Sequence, residues 1–184
     1  MKPFFILLLI ASIVACTPLS QAQETVLYEV SFANAVHHEA RISVTYNDLP
    51  ADLEVLEMRM SRSSPGRYAL HEFAKNVYQV SAVDRDGNPL EISRPSPYQW
   101  NIANPGSYVK LSYTLFADRA DGTYSQIDLS HAHLNMPATF MWARNFDHRP
   151  LRVRFTEFNT DWKIATQLVP TPRSNEFTAP DLQY

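Results

Sequence analysis

Cysteine is almost missing from this 184-residue chain, and its one example, Cys16, lies close to the N-terminus. Everything after it is therefore neither a disulfide scaffold nor a cysteine-ligated zinc module, and catalytic thiol chemistry is excluded with them. Glycine is scarce too, with four residues against thirteen prolines, which removes collagen-like and low-complexity readings. Positive charge has no surplus. The formal net charge is -3, and loss of Lys2 with an N-terminal leader takes it to -4, so nothing is in place to hold a phosphate backbone and nucleic acid is not an expected partner. What remains is an ordinary globular composition, 45% hydrophobic and 19% charged. About 160 residues past the leader suffice for one core that buries roughly 70% of the unfolded surface.

The leader begins with Lys2 and continues as an apolar or small-residue run from Phe4 to Val14. That run matches a secretory hydrophobic region and is shorter than the roughly twenty residues that cross a bilayer. Export beyond the cytoplasmic membrane, to the periplasm or cell envelope, is the expectation. Two processing routes are open. Ser20-Gln21-Ala22 offers small residues to a signal peptidase, giving a signal peptide of residues 1–22 and a mature start at Gln23. Ile13-Val14-Ala15-Cys16 resembles a bacterial lipobox, which would end the leader at residue 15, lipidate Cys16 and tether the domain to a membrane.

Period-two alternation recurs along the rest: Tyr28, Val30 and Phe32; Ile42, Val44 and Tyr46; Val109, Leu111, Tyr113 and Leu115; Leu151, Val153 and Phe155; Trp162, Ile164 and Leu168. Each set would bury one face of a half-exposed strand. The glycines all stand in turn signals: Pro65-Gly66, Asp86-Gly87, Pro105-Gly106 and Asp121-Gly122. Between Leu53 and Met60 the phase changes, which predicts a bulge or a strand buried on both faces. Leu70, Phe73, Ala74 and Val77 fall at helical spacing, which predicts a short helix from about Tyr68 to Asn76. The expected fold is an all-β antiparallel sandwich of roughly eight to eleven strands with one short helical segment, covering residues 23–178. Phe177 to Asp181 has neither the length nor the patterning of another element, and residues 179–184 read as the start of a link to a further domain.

Candidate chemistry is thin. His71-Glu72 and His38-Glu39 each begin like the H-E-x-x-H zinc signature, but Lys75 and Ile42 stand where the second histidine belongs. His131 and His133, two apart, would share one face of a strand and could hold a metal together, with Asp128 or Asp147 as possible contributors to a site that needs about four ligands. More simply, one packs and the other meets water. Ser63 and Ser64 precede Pro65-Gly66 without a G-x-S-x-G elbow, so they read as turn formers. Arg152 and Arg154 would occupy a solvated strand face. Trp142, Trp162 and the tyrosines could form a carbohydrate platform, although aromatics in a sandwich usually belong to the core.

The order of these segments resembles one family. Met58 to Val77, MRMSRSSPGRYALHEFAKNV, is similar to the Pro-Gly-x-Tyr and Phe/Tyr-Ala-Arg-Asn-Val signature of the N-terminal domain of glycyl-aminopeptidase-like zinc metallopeptidases. The Asp86-Gly87 turn, the strand with Trp100, the segment Ser130 to Ala143 and Asp161 to Thr166 follow in that family's order, over essentially the whole mature chain. The resemblance implies a β-sandwich ahead of a thermolysin-like catalytic domain that carries the zinc and its H-E-x-x-H. No residue here matches that motif, so neither zinc nor another cofactor, nor any catalytic residue, is assigned to this chain. Two departures stand out: His71 replaces the usual arginine, and Arg62-Ser63-Ser64 replaces Trp-Ser/Thr.

On this reading the chain is an exported, catalytically inert sandwich whose partner is a peptidase catalytic domain, in cis or in trans. Peptide substrate would be met only indirectly, and a membrane only through a lipidated Cys16. Pro65, Gly66, Tyr68, His71, Glu72 and Asn135 are the candidates for a substrate wall or interdomain contact. The alternative is a free-standing exported binding module that uses the His131/His133 face or the aromatics.

Overall fold

The computed structural model describes residues 24–184. The leader, Cys16 and both processing sites lie outside the described residues.

Seven strands form the larger sheet, in the order β12-β13-β11-β1-β2-β7-β4. Its members are β1 (Val26–Ser31), β2 (Glu39–Tyr46), β4 (Val77–Val83), β7 (Val109–Phe116), β11 (Leu151–Thr156), β12 (Val169–Pro170) and β13 (Glu176–Ala179). A four-stranded sheet packs against it in the order β10-β3-β6-β5, from β3 (Val55–Arg59), β5 (Ile92–Ser96), β6 (Gln99–Ala103) and β10 (Trp142–Ala143). A hairpin of β8 (Gln126–Ile127) and β9 (Ala132–His133) completes the set. Two-residue strands invisible to periodicity bring the count among the described residues to thirteen, above the expected range.

Alternation does what it predicts in the long strands. Val26, Tyr28 and Val30 are buried on β1, Ala40, Ile42, Val44 and Tyr46 on β2, and Val109, Leu111, Tyr113 and Leu115 on β7. They face Leu56, Met58, Trp100 and Ile102 of the smaller sheet in one core. Burying each such side chain contributes about 1.5–3 kcal/mol. Most ladders are antiparallel, but β1 pairs with β11 in parallel, Val26 opposite Leu151 through Ser31 opposite Thr156.

Several expectations need correction. The β3 ladder is regular from Val55 to Arg59 and buries one face only, with Leu56 and Met58 in and Val55 out; the bulges sit in β4, between Tyr78 and Ser81, and in β5. The predicted helix shrinks to a 3₁₀ turn at Phe73–Asn76, since Leu70 is 68% exposed and offers no face to bury. The α-helical turn, α1, is Met136–Thr139 instead. Trp162 and Ile164 are half-buried and Leu168 is buried, but Ala165, Thr166 and Gln167 are exposed in succession, so the alternation is not kept and the segment joins no ladder before β12. Phe177 to Ala179 is an element after all and forms most of β13 against β11.

Arg154 is not simply solvated. Across the outer face, Lys110, Glu29, Arg154 and Glu176 form a row: Lys110 Nζ lies 3.1 Å from Glu29, and Arg154 bridges Glu29 at 2.9 Å and Glu176 at 2.8 Å. Burial pushes the Glu29 carboxyl up, yet Lys110 and Arg154 outweigh it and leave it lowered. Glu176 is lowered chiefly by its Arg154 hydrogen bond. Arg152 does stay exposed.

Candidate functional site

Seven strands cannot be covered by four. The β11–β13 half of the larger sheet extends past the smaller one, and at one end Phe32, Phe158 and Trp162 pack over it. At the other end a cleft of about 870 Å³ remains. Its floor is the apolar inner face of the sheet: Tyr28, Leu151, Val153 and Ala179, with Phe140 against Tyr28 at 5.0 Å. One wall is made of Ser61, Ser63 to Arg67, Gly122 and the His133–Pro137 segment. The far wall is Gln167, Leu168 and Asp181 to Tyr184.

The first wall is built by local chemistry. Arg67 N–H bonds the Ser64 carbonyl at 3.0 Å around Pro65 and Gly66, and Gly66 has φ +76°. That is a type II turn, which places proline second and requires glycine third because a Cβ is strained at positive φ. Asn135 locks this loop to its neighbours: its amide nitrogen donates to the Thr123 carbonyl and to Ser64 Oγ, the latter at 3.3 Å. Beneath it runs a closed circuit. Asn135 N–H donates to Ser125 Oγ at 3.0 Å, and Thr139 Oγ1 donates to the Asn135 carbonyl at 2.8 Å, so Ser125 must be the donor in its 2.8 Å bond to Thr139. Thr139 is fully buried, and a satisfied network there fixes the α1 segment.

Three phenols of the larger sheet hold the segment after α1. Tyr28 donates to the Met141 carbonyl at 2.9 Å and Tyr113 to Thr139 at 2.8 Å, while Tyr46 accepts from Ala143 N–H at 2.9 Å. Burial raises all three hydroxyls, Tyr46 to about 12. They stay protonated and are structural ties between the layers.

The structure places Pro65, Gly66 and Asn135 together on the cleft, and not Tyr68, His71 or Glu72. Tyr68 projects fully into solvent from the loop. The His71 ring stacks on Phe73 at 5.0 Å and meets the edge of Tyr124, its Nε2 buried without a hydrogen-bond partner. Glu72 is exposed beside Arg62. Neither Ser63 nor Ser64 bonds a histidine among the described residues, so no nucleophile and base are paired.

Of the histidines elsewhere, His38 and His131 make local side-chain bonds. His38 Nδ1 lies 2.6 Å from the Ile127 carbonyl, which can only accept, so Nδ1 carries the proton. Both His131 and His133 are exposed, and only His133 reaches the cleft. Asp128 is turned onto its own loop: Ser130 Oγ donates at 2.6 Å, the Ser130 and His131 N–H groups add two more bonds, and these hold its carboxyl far below the usual range. Asp147 meets the tail by its backbone, accepting from Leu182 N–H. Among the described residues no three His, Cys, Asp or Glu gather as a metal needs. These residues do not fit the zinc that the resemblance implies for the family's catalytic domain.

Comparison with known proteins bears on the whole unit that carries this cleft. The family model of the peptidase M61 N-terminal domain matches residues 27–184. The chain belongs to that family. The M61 N-terminal domain is also similar in fold to a crystal structure of an aminopeptidase N family protein from Idiomarina loihiensis, with a TM-score of 0.78 and 18% identity over 86% of this chain. It spans only 27% of that longer chain. None of the curated proteins matches. Within this M61 domain the Pro-Gly-x-Tyr signature is the type II turn at the cleft, so its first two residues shape the wall and its tyrosine points away. The Ser125–Thr139 circuit carries no motif, and only the polar residues within SHAHLNMPATF hinted at it.

Proposed function

We propose that this domain is the non-catalytic N-terminal sandwich of an exported zinc metallo-aminopeptidase and packs on a catalytic domain. The observation that carries the reading is the M61 family match over residues 27–184, joined to a fold neighbour of which the domain makes up 27%. The sequence holds no H-E-x-x-H, so the hydrolytic chemistry belongs to that other domain. The apolar residues left in water on the first wall's side, Tyr68, Leu70 and Met136, suit an interdomain contact, which buries about 600–1,500 Å².

Thermal unfolding with and without an M61 catalytic domain added in trans tests the packing. A rise in Tm that saturates with the added domain is expected, and an unchanged Tm together with separate elution of the two would sink the reading. Export has its own check, since intact mass should show a start at Gln23 or an acylated Cys16.

A further inference from the structure

We infer that the cleft takes a short extended peptide, pairing as an added strand along Ser61 and Ser63, with an apolar side chain on the floor and its carboxylate end at Arg67. The inference holds whether or not a catalytic domain packs on the sandwich.

Strand parity carries the first step. Met60 N–H bonds Tyr98 on the β6 side of β3, and the Glu57 carbonyl accepts Arg144 N–H on the β10 side. Odd-numbered residues of this stretch therefore turn their backbone groups toward β10. But β10 stops where Trp142 pairs with Arg59, and the chain from Met141 back to Met136 is diverted to Tyr113 and into α1. The chain then bends at Arg62, whose carbonyl accepts His71 N–H. Ser61 and Ser63 are left facing the cleft, and among the described residues their N–H and C=O groups have no hydrogen-bond partner. An open strand edge beside an apolar floor is the arrangement in which main-chain bonds supply affinity and a pocket supplies side-chain specificity.

Charge picks the end. Arg67 lines the same wall, is exposed, and makes no ion pair among the described residues. The acid of the far wall, Asp181, accepts Gln183 N–H at 2.7 Å and is bound to its own turn. The cleft thus offers one uncommitted cation, and a carboxylate is its complement.

The test is titration of the full, isotope-labelled chain by amide NMR with acetyl-Ala-Leu-Val-Ala bearing a free carboxylate. Saturable shifts at Ser61, Ser63 and Arg67 and at the Trp142 indole are expected. The carboxamide form of the peptide, and the exposed variant Arg67→Ala with the original peptide, should each bind about fivefold more weakly. Methylating the central amide nitrogens should weaken binding further, because it removes the donors that pair with the edge. Three results would overturn the inference: no saturable shift in a folded monomer, equal binding of all three peptides, or concentration-dependent shifts at Ser61 and Ser63 without peptide, which would assign the cleft to a second copy.

Discussion

Tyr113 and Met141 are joined by a bond in which the phenol oxygen accepts the amide N–H at 3.0 Å while its own hydrogen goes to Thr139. The strand β7 thereby serves as the surrogate ladder partner for a segment that has just left helix α1. Tyr113 is fully buried, so water cannot take the phenol's place.

Tyr113→Phe should therefore cost more than one ordinary hydrogen bond. It strands a buried N–H and a buried C=O, each worth about 1–3 kcal/mol when left unsatisfied, and a loss of about 2–4 kcal/mol is expected. Urea unfolding would measure it. A change under about 0.5 kcal/mol, the scale of a neutral surface substitution, would show that the segment is held by packing alone.

Removing the centre of the charge row has a different signature. Arg154→Leu leaves Glu176 without its bridging cation and Glu29 with Lys110 alone, and a loss of about 2–3 kcal/mol at neutral pH is expected for this partly buried site. Both carboxyls are lowered in the fold. Their contribution is thus present above the unfolded glutamate value and is lost as pH falls through the folded values. Stability of the wild type should drop below about pH 4.5, and that of Arg154→Leu should drop less there. Parallel acid titrations followed by circular dichroism would decide it, and identical pH slopes would refute the assignment.

Asn135→Ala should act locally. The Asn135 amide nitrogen is what ties the Ser64 turn to Thr123, so hydrogen exchange should quicken at Arg67, whose N–H closes that turn, while β2 and β7 keep their protection. A global loss of about 1–2 kcal/mol is the most expected from the bonds removed. Unchanged exchange in the loop would contradict the role given to Asn135.

Long strands were readable because each carries its own instruction. Val109 to Leu115 alternates without interruption, and nothing else is needed to bury one face. Leu70 misled because helical spacing presumes a surface to pack on, whereas the type II turn at Pro65-Gly66 throws Tyr68 and Leu70 outward. Phe177 to Ala179 went unread because a four-residue strand is defined by its partner, here Arg154 and its neighbours on β11, and not by its own pattern. Of the cleft, Pro65, Gly66 and Asn135 were found through the family signature, while Leu151, Val153 and Ala179 are buried core residues by pattern and by burial, and only the mismatch of seven strands over four makes them the cleft's floor.

The parallel pairing of β1 with β11 also sets the order in which this chain can become native. Val26 must wait for Leu151, a contact that closes most of the chain into one loop. The hairpin of β1 with β2 can form early, but its other edge stays bare until β11 has been synthesised. Non-local closure of this kind is slow and leaves an intermediate prone to aggregation. A ribosome-bound chain halted before residue 151 should accordingly need a chaperone, and one released past Ala179 should not.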